Sequence, residues 1–207
     1  MEENVSEKFS SPQNKTEENE EIIRVLEEKL RAKYNMRDSF PRHFYKQLVA
    51  VRNAFGGLKN VRGKKILDIG CGSIERNFKA RGVNDSEDRI FRDFEPWLCR
   101  ALQELGANPV GIDIMDLEIE EFEHYQLDFL EPKALNFFVA KSFDGVNISC
   151  VFGPFDDLII KNPIDASNKK NIMKMLGEEI KKLLKNDAKF INIIDANGFS
   201  LRQSFGL

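Results

Sequence analysis

Lys64-Lys65-Ile66-Leu67-Asp68-Ile69-Gly70-Cys71-Gly72-Ser73 reads as an apolar strand that ends on an acid and breaks into a tight glycine turn. Glycines at 70 and 72 let the backbone turn sharply and approach a ligand closely, where a Cβ would obstruct both. A strand running into such a turn points to a nucleotide-like ligand. A dinucleotide site asks for glycine at the last position of G-x-G-x-x-G, which here is Glu75, and that charge would lie beside a pyrophosphate that a helix N-terminus favours. The G-x-x-x-x-G-K-[ST] phosphate loop is absent. Asp68 instead suits a ligand that is cationic where it meets the turn.

On either side of this stretch, short apolar runs alternate with longer amphipathic segments, the pattern of buried parallel strands crossed over by helices. The runs are 65–69, 108–112, 122–127, 143–151 and 189–194, and the spacing predicts helices over 91–105, 132–140 and 168–184. Between Asp113 and Phe122 there is too little chain for a full crossover helix, so one turn at most, or a loop over that edge of the sheet, is expected. Residues 76–92 delay the first helix; their charge, with Gly82 and Asn84, reads as a loop, either across the pocket or simply solvated.

The turn with its acid, Asp113 closing Val110-Gly111-Ile112-Asp113, and Asp128-Phe129 after the third run resemble the class I S-adenosylmethionine-dependent methyltransferases over about residues 64–195. That resemblance implies an α/β, Rossmann-like, parallel-rich twisted sheet of about five to seven strands in the order 3-2-1-4-5, flanked by helices. It implies S-adenosylmethionine as cofactor. Asp68, Gly70, Cys71 and Gly72 would form the turn, and Asp113 with Ile114 would meet the ribose. Asp128 and Phe129 would flank the adenine, and Ser149 would line the site from the fourth strand. An ionised carboxylate can accept from both ribose hydroxyls, and Asp128 can accept from the exocyclic amine. Each acid also has a local use: Asp68 in capping the turn, Asp113 in an Asx-turn, Asp128 in capping the segment after Pro132. The chain departs from D-x-G-x-G-x-G at Ile74, where the last glycine would stand.

The formal charge of −3 and sequence pI near 5.6 give no global positive field for a phosphate backbone, so nucleic acid is an unlikely partner on composition. The three cysteines, Cys71, Cys99 and Cys150, are odd in number and lack a C-x-x-C pair, which argues against a disulfide framework and a zinc cage; no metal is expected. No run approaches the roughly 18 apolar residues of a membrane span, and residues 1–20 lack the basic and apolar parts of a secretory signal, so a cytoplasmic protein is expected. Residues 1–20 read as a mobile polar tail, 21–60 as a helical appendage able to cover the pocket, and 61–207 as the cofactor-binding domain.

Methyl transfer from a sulfonium is an in-line displacement with a good leaving group, so positioning and exclusion of water can do much of the work. No catalytic residue is assigned; His43, His124, Asp156 and Asp157 are the candidate bases. The fourth run, ending Val151-Phe152-Gly153-Pro154-Phe155, lacks the acid or Asn, two prolines and aromatic common in enzymes that methylate exocyclic or amide nitrogens. The expected acceptor is therefore a small molecule or a protein. Trp97 has two readings, a core contact and an aromatic platform for substrate. The short stretch after Asp195 motivates the alternative, a non-catalytic cofactor-binding or partner-binding module; oligomeric state is not legible.

Overall fold

The computed structural model describes residues 12–36, 39–73, 95–115, 117–129, 131, 133–149 and 166–194. Helices α1 (Pro12–Lys33) and α2 (Arg42–Phe55) precede β1 (Lys65–Ile69). Then follow α3 (Trp97–Glu104), β2 (Asn108–Asp113), β3 (Glu123–Gln126), β4 (Phe143–Ser149), α4 (Ala166–Leu183) and β5 (Leu184–Ile194). The strands form one sheet in the order β3-β2-β1-β4-β5, every neighbouring pair parallel, which is the α/β Rossmann-like arrangement expected. The chain order reverses between β1 and β4, and at such a switch point the crevice beyond the carboxyl ends of the strands is open to a ligand.

Side-chain alternation along the strands builds two cores. Leu67, Ile69, Val110, Ile112, Val146 and Ile148 face Met173, Leu176, Ile180 and Leu183 of α4. On the opposite face Ile66 and Ile191 pack with Val51 of α2 and with Leu98 and Leu102 of α3. Asp68 and Asn147 alternate onto this second face and pair in register across β1 and β4. Gly111 pairs with Asp68 from the other side. A Cβ at Gly111 would stand 2.7 Å from Phe122 Cε2 and 2.9 Å from Cys71 Sγ, so only glycine lets the glycine turn settle against β2.

Five expectations are corrected. The helix starts at Pro12, so residues 12–20 are not a tail; Asn19 is buried and its side-chain oxygen accepts from the Leu58 amide at 3.0 Å. The N-terminal helices are no appendage, because Leu26, Leu30, Phe44 and Leu48 join Trp97 and Ala101 in one core while Val51 reaches the sheet. The segment 133–138 is a chain of turns rather than a helix: Lys133 has φ 65°, a left-handed conformation that breaks a helix, and its amide donates to Glu179 Oε1 at 3.2 Å. The third run forms only Glu123–Gln126, and the fifth begins at Leu184, earlier than its apolar content shows. The β2–β3 connection carries no helix among its described residues, as its length required.

Candidate ligand site at the carboxyl edge of the sheet

Asp68 stands one residue before the end of β1, at 1% exposure. Its Oδ1 accepts from Asn147 Nδ2 at 2.6 Å and its Oδ2 from the Cys99 thiol at 3.4 Å. Burial drives its pKa from 3.8 up to about 6; the bonds from Asn147 and Cys99 oppose that rise, and the nearby Asp113 charge adds to it. An acid kept in the core at such a cost, at a topological switch point, is the strongest electrostatic mark of a site among the described residues.

The turn that follows takes left-handed glycine conformations, with φ 72° at Gly70 and 91° at Gly72. The Gly70 and Cys71 amides both donate to the Ile112 carbonyl, at 2.8 and 3.1 Å, which docks the turn on the end of β2. The Gly72 amide donates to Asp113 Oδ2 at 2.9 Å, while Asp113 Oδ1 accepts from the Met115 amide at 3.0 Å. Asp113 therefore faces inward, 2% exposed, as a strut between the glycine turn and the β2–β3 connection. Its bonds from the Met115 amide, an Asx-type contact, and from the glycine turn engage both carboxylate oxygens.

Cys71 and Cys99 meet in a small buried cluster with Leu117 and Phe122. Burial pushes the Cys71 thiol up to about 11 and the Cys99 thiol well above its usual range, so both behave as packing groups rather than nucleophiles. Ile114 is half-buried, and its carbonyl accepts from Gln126 Nε2 at 3.2 Å. Asp128 is exposed just beyond β3. Phe129 is 5% exposed and packs in the core with Ile112 and Leu135. Ser149 closes β4, its backbone in register with Ile194.

Of the candidate bases, His43 and His124 are among the described residues. Asp68 is bonded to Asn147 and Cys99 rather than to an imidazole; His43 stands in the first turn of α2, and His124 Nδ1 donates to the Phe122 carbonyl at 2.8 Å. Asp156, Asp157, Phe152, Pro154, Phe155, Cys150, Ile74, Glu75 and the segment 76–92 lie outside the described residues. Trp97 is a core residue, 1% exposed, with Tyr34 and Phe40 edge-on to it at 5.8 and 5.1 Å, so the platform reading is withdrawn.

Sequence reasoning missed Asn147 and Cys99 as partners of Asp68. A signal existed for Asn147: it interrupts Val146 and Ile148 in an apolar strand, where an amide needs a partner. It also missed Arg100, whose charge stands among Leu98, Cys99, Ala101 and Leu102. Arg100 is 1% exposed and forks onto Glu120, Nε to Oε2 at 3.0 Å and Nη2 to Oε1 at 2.6 Å, while Nη1 reaches Glu95 Oε2 at 2.5 Å.

No protein-family model matches the chain, and comparison with curated proteins gives no match. Among the described residues no cluster of His, Cys, Asp and Glu could hold a metal ion, and no helix is long and apolar enough to cross a membrane.

Proposed function

We propose that the chain binds S-adenosylmethionine at the carboxyl edge of β1, β2 and β4 and transfers its methyl group to a small-molecule or protein acceptor. The observation that carries this reading is the buried Asp68–Asn147 pair at the switch point, directly before a glycine turn that is itself tied to the acid closing β2. A desolvated carboxylate is matched by a ligand that brings positive charge, and the amino-acid end of S-adenosylmethionine does so without the phosphates that Glu75 would oppose.

The donor and acceptor set fits that cofactor. Gly70 and Gly72 leave no side chain to block close approach of the methionine portion. Asp68 faces its ammonium, and Asp113 holds the turn at the end of β2, where the ribose would lie. Asp128 and the backbone at Phe129 stand at the end of β3, where the adenine would lie. The bound cofactor supplies an electrophilic methyl on a sulfonium. This chain's part is to orient it, exclude water and present the acceptor in line.

Calorimetry with S-adenosylmethionine and with its demethylated product tests the reading, with heat and a thermal upshift expected for both. Neither signal with either compound rejects it. Transfer of radiolabelled methyl to a metabolite or protein pool then separates an enzyme from a binding module.

A further inference from the structure

We propose that Arg100 is a positioning residue of this ligand site, fixing the β2–β3 connection so that Asp113 and, through it, the glycine turn hold one geometry. The inference rests on the reading of the site as ligand-binding.

Arg100 touches no part of the glycine turn directly. Its guanidinium lies over the Tyr34 ring at 4.0 Å and the Trp97 ring at 4.5 Å, so the residue just after α1 and the first residue of α3 hold its plane in place. In that plane it accepts no freedom from Glu120: two parallel bonds from a planar fork fix both the position and the tilt of that carboxylate. Glu95, immediately before α3, occupies the remaining nitrogen.

Glu120 stands in the connection of residues 114–122, where its own amide donates to the Leu117 carbonyl at 2.9 Å. Leu117 and Phe122 press this connection against Cys71 and Cys99. At its start the Met115 amide binds Asp113 Oδ1, and Asp113 Oδ2 binds the Gly72 amide. A continuous path of bonds and packed atoms thus runs from a buried guanidinium to the backbone that meets the ligand. The Met115 and Gly72 amides together hold the Asp113 carboxylate in one orientation. A lysine could supply the charge but not the fork.

Glu120→Gln removes the charge and replaces one acceptor by a donor while leaving the shape. Amide exchange read residue by residue should then quicken at Met115 and Gly72 by about tenfold, the weight of one hydrogen bond to a charged group, and the amides of Leu67 and Val146 should change only with global stability. Arg100→Lys should behave the same way. The Kd for S-adenosylmethionine should rise by a similar factor. Equal protection at Met115 and Gly72 in the folded variants, or acceleration no greater than that of Leu67 and Val146, overturns the proposal. Unchanged Kd in a folded variant overturns it as well.

If the wild-type chain binds no S-adenosylmethionine, the proposed function fails while the amide readout still decides the role of Arg100. Should single variants fail to fold, the combined Glu95→Leu, Arg100→Met, Glu120→Leu variant removes the whole ionic group without stranding a buried charge, and the same readouts apply.

Discussion

Replacing Asp68 by asparagine should stabilise the fold at neutral pH while weakening the ligand site. The folded carboxyl has its pKa pushed from 3.8 to about 6 by burial, against donors on Asn147 and Cys99. Raised above its unfolded value, it favours the folded state fully below about pH 3.8, and that contribution is lost as pH climbs through about 6. The rise corresponds to about 3 kcal/mol of penalty for the ionised form. Asparagine carries no such penalty. Its oxygen still accepts from Asn147, and its amide meets the Cys99 sulfur, a poor acceptor, at a loss of about 1 kcal/mol. Urea unfolding at about pH 7.5 should therefore find Asp68→Asn more stable by about 2 kcal/mol, and the wild-type decline in stability between about pH 4 and 6 should flatten in the variant. A variant less stable than wild type at neutral pH, or parallel stability curves across that window, refutes the reasoning. Calorimetry on the same variant should show S-adenosylmethionine binding weakened, because the negative partner of its ammonium is gone.

Asn147→Ala removes the shorter of the two bonds to Asp68, so the carboxyl pKa should climb further and stability at neutral pH should fall by about 1–3 kcal/mol; in an Asp68→Asn background the loss should shrink, as a double-mutant cycle by urea unfolding will read. Gly111→Ala forces a methyl against Phe122 and Cys71 and should cost about 1–3 kcal/mol, partly recovered by Phe122→Leu. Val139, with 75% of its surface exposed, should tolerate serine within about 0.5 kcal/mol by thermal unfolding.

The central strand and its turn were legible because alternation, a terminal acid and two glycines all constrain the same stretch, while the strand order came from the family resemblance. That no full crossover helix fits between Asp113 and Phe122 was legible from length alone, and none is present among the described residues. Residues 133–138 misled because Ala134, Leu135 and Phe138 mimic helical spacing, while the deciding fact, a left-handed Lys133 pinned by Glu179, is a tertiary contact. Composition likewise hid the start of α1: the helix is anchored at Asn19 by a backbone amide far along the chain. At the site, the acids were found and their orientation was not. Asp113 was read as a ribose acceptor or the start of an Asx-turn, and the structure shows its carboxylate holding the Met115 and Gly72 amides. Partners such as Asn147 and Cys99 come from strands and helices that meet only in three dimensions.

The contacts that make the site are far apart in sequence: 79 residues separate Asp68 from Asn147, and 41 separate Gly72 from Asp113. A chain emerging from the ribosome cannot own this pocket until its fourth strand has docked beside its first. Recognition at this edge is accordingly a property of the finished sheet alone, and any molecule that binds there adds its free energy to the native state with none given to partly folded forms.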